Sequence, residues 1–204
     1  MRLQIGLLAS GGGTNMQAII DACREGRVDG EPRAVISNNS RSGALERARR
    51  EKIPAYHLSS RTHPDPEALD AAILEALSDN EVSIICLAGY MKLLGPRTIA
   101  TYRGRILNIH PALLPRHGGT GFYGHHVHEA VIAAGDRESG PTIHVVDERY
   151  DSGPILAQTR VPVLPGDTPE TLAARVLEQE HRIYPETLQR IATGDIKLEG
   201  EGPT

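Results

Sequence analysis

Arg105–Pro115, RILNIHPALLP, sets two polar side chains into an apolar run. Residues two apart in an extended strand share a face. Asn108 and His110 therefore project together, while Leu107 and Ile109 face the other way. Pro111 favours an extended His110, which supports that geometry. An amide donor beside an imidazole can hold a developing oxyanion and move a proton. The other reading is a pair of structural residues, hydrogen-bonded at a strand end.

A second polar stretch is TIHVVDERYDSGP, residues 142–154. Thr142 and His144 share a strand face, and Asp147, Glu148 and Asp151 then crowd a turn. A carboxylate beside an imidazolium raises the His pKa and fixes its ring. A metal held by His144 with Asp147 or Asp151 matches no ligand signature, and a solvated acidic turn is the plainer reading. Glu180 falls among Leu172, Val176 and Ile183 on the apolar side of a helix. A carboxylate there needs a partner, either a ligand or an internal Arg. The run Tyr123-Gly-His125-His126-Val-His128 has one nearby carboxylate, Glu129, and reads as a surface loop or helix start rather than a metal site.

The loop SGGGTN, residues 10–15, joins the first strand to the first helix. Backbone N–H groups at a helix amino terminus attract anions, and glycines let a phosphate approach the main chain. Thr14 and Asn15 add side-chain donors. The loop lacks the Lys of a P-loop, and Met16 stands where a dinucleotide fingerprint needs glycine. No acidic residue ends the second strand to hold a ribose. Phosphate binding and a tight structural turn both remain open.

These side chains need elements to position them. Residues 3–9 read as a buried strand, and a helix follows from Asn15 to Glu25 on the spacing of Met16, Ile19, Ile20 and Cys23. Strands are expected at Arg33–Ser37, Ala55–Leu58 and Ser83–Ala88, with helices at Ser42–Glu51 and from Asp65-Pro66 to Leu77. Strands alternating with helices imply an α/β fold with a parallel sheet covered on both faces. After residue 100 strands dominate, at 105–109, 142–147 and 154–163, so the sheet should become mixed. A helix from Thr168-Pro169 should stop at Tyr184, before Pro185, with a short last helix beyond. One domain over 1–204 is expected, with halves at about 1–100 and 101–204.

Composition narrows the function classes. A net charge of −4, with Lys and Arg spread along the chain, argues against nucleic acid. With one Phe and no Trp, the core must be aliphatic. Cys23 and Cys86 form no CxxC pair, so neither zinc nor a disulfide framework is indicated. The apolar start is too short for a signal peptide, and no stretch reaches membrane-spanning length. A soluble, cytoplasmic protein is expected. No exposed apolar helix face stands out, which leaves monomer and homodimer both open.

The stretches ASGGGTNMQAII, ISNN, GALERAR, LAGYMKLL, LNIHPALLP, YDSGPIL and ARVLEQEHRIYP, in this order, resemble the glycinamide ribonucleotide formyltransferases, folate-dependent enzymes of purine synthesis. The resemblance implies a Rossmann-like, phosphate-binding first half and a folate-binding, catalytic second half that extends the sheet, with the active site in the cleft between them. It also implies two small-molecule substrates, glycinamide ribonucleotide and 10-formyltetrahydrofolate, and no metal. By position, Asn108, His110 and Asp151 would be catalytic, with Asp151 keeping His110 charged. Gly13, Thr14, Asn15 and Glu180 would hold the ribonucleotide. Met91, Lys92, Leu93, Leu94 and Asn108, with the turn Asp147, Glu148, Arg149, Tyr150 and Asp151, would hold the folate. Thr142 and His144 would support Asp151. The family's folate-contacting Arg falls near Pro66 here, with Arg61 close by, and Lys92 stands where an Arg is familiar. A formyltetrahydrofolate hydrolase usually carries an extra amino-terminal domain, whereas this chain starts at its first strand. A methionyl-tRNA formyltransferase would need a further carboxy-terminal domain and a basic surface. A non-catalytic folate or nucleotide-binding module is the remaining alternative.

Overall fold

A computed structural model of the chain describes residues 2–119, 121–147 and 151–199. Five strands form its parallel part: β1 (Leu3–Leu8), β2 (Gly30–Ser37), β3 (Ala55–His57), β4 (Ile84–Leu87) and β5 (Ile106–His110). β7 (Thr142–Val145) and β8 (Ile155–Gln158) add antiparallel strands, giving the order β3-β2-β1-β4-β5-β7-β8. The sheet is mixed in its second half, as the residue pattern predicts.

Strand alternation sorts the core into two layers. Ile5, Leu7, Cys86 and Leu107 pack with helices α1 (Thr14–Arg24), α2 (Gly43–Arg50) and α6 (Pro169–Ala192). Leu8, Ile36, Ile85 and Ile106 pack on the other face with helix α3 (Pro66–Asp79) and the short α4 (Pro96–Thr101). Helices on both faces are what a buried parallel sheet requires. Helix α5 (His125–Ala133) packs its Val131 with Val161, Leu172 and Val176. Among the described residues, no helix is long and apolar enough to cross a membrane.

Two expectations are corrected. The strand expected over 154–163 divides, because its end, β9 (Val161–Pro162), pairs with β6 (Glu138–Ser139) in a separate sheet. The chain crosses Gly140 at the break: a Cβ there would lie 1.8 Å from the Thr159 carbonyl oxygen. The helix expected to stop at Tyr184 continues through Pro185 to Ala192 as α6. Tyr184 is fully buried, and its hydroxyl donates to the carbonyls of Leu87 and Leu107, at 3.3 and 3.1 Å. With Ile183 and Leu188 also in the core, burial outweighs the hydrogen bond that Pro185 removes.

α4 is held by a side chain from another helix. The Asp70 carboxylate of α3 accepts from the backbone N–H groups of Arg97 and Thr98, at 2.8 and 3.1 Å, and from the Thr98 hydroxyl at 2.6 Å. It thereby satisfies a helix start that has no cap of its own. Asp70→Ala is expected to lower stability by about 1–3 kcal/mol in urea denaturation, because buried donors lose their acceptor. An unchanged midpoint would show that the cap is dispensable.

Candidate active site

β5 and β7 bring the polar stretches together. Their register pairs Asn108 with His144 and His110 with Thr142. The Asn108 amide lies 3.1 Å from His144 Nε2. Asp151, in the left-handed region at φ 52°, reaches both histidines. Its Oδ2 is 3.5 Å from His110 Nδ1, and its Oδ1 is 3.4 Å from His144 Nε2. The Gly119 N–H donates to Asp151 Oδ2 at 2.9 Å. Asn108, His110, His144 and Asp151 thus meet at one point of the sheet.

Their charge states follow from burial and neighbours. Burial pushes the His110 pKa down, outweighing the pull of Asp151 and the hydrogen bond to the His117 carbonyl. The net direction is downward, opposite to the rise that Asp151 alone would cause. Its Nε2 stands 2.7 Å from the His117 carbonyl, which can only accept. Nε2 therefore carries a proton, and Nδ1 faces Asp151. For Asp151, burial raises the carboxyl pKa, but the His144 hydrogen bond, the His110 charge and the Gly119 N–H together hold it below the usual range.

This centre lines a cavity of about 1280 Å³ that also reaches Asn15 and Glu180. Glu180, expected to need a ligand or an Arg, takes Asn15 as its partner: Asn15 Nδ2 donates to Oε2 at 2.5 Å. Burial holds the Glu180 carboxyl above its ordinary pKa despite that bond. The Asn15 Oδ1 is buried without a partner among the described residues. The glycine loop reaches the cavity through Asn15; Gly13 and Thr14 are not in its wall. Gly13 caps α1 at φ 73°, and the first turn has neither a side-chain cap nor an acidic residue. Its N–H groups are suited to an anion.

Met91, Lys92, Leu93 and Leu94 line the cavity, with Met91 and Leu93 exposed. Asp147 lines it too, while Glu148, Arg149 and Tyr150 lie outside the described residues. Thr142, expected to support Asp151, braces the segment after β5 instead. Its hydroxyl donates to the Ala112 carbonyl at 2.6 Å and accepts from the Leu114 N–H at 3.1 Å. Arg61 lines a different cavity, of about 500 Å³, with Arg41 and His57. Arg103, just past α4, joins Lys92 as a cation of the main wall, where Pro96, Ile99, Ala100 and Arg103 form an i, i+3, i+4, i+7 stripe. That periodicity is the signal that could have identified this wall.

The histidine run starts α5. His125 and His126 pair with Glu129, at 3.5 and 3.0 Å. His128 is buried against the cavity, and burial with neighbouring His125 and His110 lowers its pKa to about 4. Among the described residues, no group of three or more His, Cys, Asp or Glu could hold a metal ion.

Residues 3–188 match the formyl transferase family model. The chain is 39% identical over 196 residues to the phosphoribosylglycinamide formyltransferase of Escherichia coli (strain K12), covering 96% of this chain and 90% of that protein. It is 43% identical over 202 residues to the chloroplastic phosphoribosylglycinamide formyltransferase of Vigna unguiculata, covering 98% of this chain but only 64% of that longer protein. The crystal structure of glycinamide ribonucleotide transformylase 1 from Symbiobacterium toebii superposes with a TM-score of 0.91 at 44% identity, covering 98% of this chain and 92% of that one.

Proposed function

The chain belongs to the formyl transferase family, and on that premise we propose that it transfers the formyl group of 10-formyltetrahydrofolate to the amine of glycinamide ribonucleotide, in purine biosynthesis. The observation that carries this reading is the meeting of Asn108, His110 and Asp151 in a cavity that continues to Glu180 and Asn15. The half up to about residue 100 would hold the phosphate through Gly13, Thr14 and Asn15. The rest would supply the catalytic centre, in a single domain. Met91, Leu93 and Leu94 would offer an apolar wall to the pterin, with Asp147 and the turn to Asp151 along its edge. Lys92 and Arg103 would meet the anionic tail. Glu180 would meet the ribose or the amine. Free Cys23 and Cys86 suit a reducing compartment such as the cytoplasm.

In this mechanism the amine attacks the formyl carbon and an oxyanion forms. The Asn108 amide donates to that oxygen. His110 Nδ1 takes the proton lost by the attacking nitrogen, and the Asp151 carboxylate stabilises the imidazolium. When the carbon–nitrogen bond to the folate breaks, the imidazolium returns the proton to the leaving nitrogen. The products are the formamide and tetrahydrofolate, and the neutral ring is restored. Held geometry contributes as well, since two substrates become one complex.

An absorbance assay of formyl-folate consumption tests the reading. Loss only when glycinamide ribonucleotide is present is the expected result. Loss without it would make the protein a hydrolase, and binding without loss would make it a non-catalytic module.

A further inference from the structure

The turn at residues 116–119 touches both members of the catalytic pair. The His117 carbonyl accepts from His110 Nε2 at 2.7 Å, and the Gly119 N–H donates to Asp151 Oδ2 at 2.9 Å. The turn is pressed close: a Cβ on Gly118 would lie 2.4 Å from a Leu114 methyl and 3.3 Å from the Asp151 Cβ. Its sequence, Arg-His-Gly-Gly, has no aliphatic side chain with which to anchor it. His117 also adopts φ 53°, a conformation that a residue with a side chain keeps only when its surroundings impose it.

Asp136, in the segment after α5, supplies that constraint. Its carboxylate pairs with the Arg116 guanidinium through Oδ1 and with His117 Nε2 through Oδ2, the latter at 2.7 Å. The Asp136 side chain is 8% exposed and that of His117 14%, so their contact is shielded from water, whereas the Arg116 side chain is mostly exposed. The His117 ring is closed on its other side by Phe122, edge to face at 6.1 Å. We infer that Asp136 is a positioning residue: by clamping Arg116 and His117 it fixes the turn whose backbone orients His110 and Asp151. Asp136 reaches no reacting atom; it acts through two backbone groups of the turn. The inference rests on the formyl-transfer reading, which wild-type turnover tests separately.

Asp136→Ala is expected to lower kcat about 10- to 100-fold, the scale of a small misplacement of catalytic groups. KM for each substrate should stay within about threefold, since Asp136, Arg116 and His117 do not themselves line the cavity. The pH profile of kcat should be displaced, because the titratable groups facing His110 are Asp151, His144 from β7, His128 from α5 and His117 of the turn, and the clamp sets the turn's position among them. Asp136→Asn, which keeps an acceptor for His117, should recover most of the rate. His117→Gly should reproduce the loss, and adding Asp136→Ala to it should cost little more, as for residues acting through one contact. Full kcat with an unmoved pH profile in Asp136→Ala, or additive losses in the double variant, overturns the clamp. If Asp136→Ala does not fold, His117→Gly decides: wild-type kcat and pH profile there would overturn it equally. NMR titration of the His110 ring without substrates provides a readout independent of turnover. A midpoint displaced in Asp136→Ala or His117→Gly supports the clamp even if the formyl-transfer reading fails. A midpoint unchanged in both discards it.

Discussion

Asp151→Asn is expected to lower kcat by about 10³- to 10⁴-fold, the scale seen when an acid supporting a catalytic imidazole becomes an amide. The substitution keeps the shape and most of the contacts but reverses the chemistry at His110. In the wild type a carboxylate oxygen stands 3.5 Å from Nδ1, and in the proposed mechanism it stabilises the imidazolium formed during the reaction. An Asn amide has no charge to offer that imidazolium. Its NH₂ would also donate to Nδ1 and occupy the base. The fold should survive, since the β5–β7 ladder and the core residues on either side are untouched. The pH dependence gives a second check. His110 must be neutral to accept a proton, so wild-type kcat should fall on the acid side as pH drops through the His110 pKa, below the ordinary imidazole range. Asp151 raises that pKa, so residual activity in Asp151→Asn should have its acid limb at still lower pH. Near-normal turnover in a folded variant would remove Asp151 from the scheme.

The convergence of the polar strand residues is legible in the sequence because strand geometry is simple. Asn108 and His110 two apart, and Thr142 and His144 two apart, give two shared faces, and the register pairs them. The parallel-to-mixed sheet was legible for the same reason. Charge was not: a neighbouring carboxylate suggests a charged His110, but only the depth of its burial decides the sign. Thr142 illustrates a related limit. Its face was predictable, yet its partners come from the chain bend after β5. Pro185 is a local stop signal overridden by the burial of Tyr184 and Leu188. Arg61 lies near the missing Arg in sequence but lines another cavity, while Arg103, 42 positions from it by 103 minus 61, reaches the main wall.

Asn108→Ala should lower kcat about 10²- to 10³-fold, equivalent to about 3–4 kcal/mol of lost transition-state stabilisation, and leave both KM values within a few-fold. The division between the constants matters more than the size of the loss. A carbonyl oxygen in the ground state gains little from one amide donor, whereas the oxyanion gains much in a water-poor cavity. Asn108 is only half-buried and faces the cavity between His144 and the reacting centre, so its amide can serve the oxygen of a bound formyl group. Its contact with His144 complicates the substitution, because Ala leaves His144 Nε2 with Asp151 as its neighbour. Replacing His144 by Gln, which can reach the same two partners, separates the effects. If Asn108 acts through the oxyanion, Asn108→Ala must lose far more rate than His144→Gln, with an unmoved pH profile. If it acts by aligning His144, the two variants should lose similar rates and their double variant no more. A large rise in KM with kcat preserved would instead make Asn108 a residue that binds the folate in its ground state, and the developing charge would then need another donor.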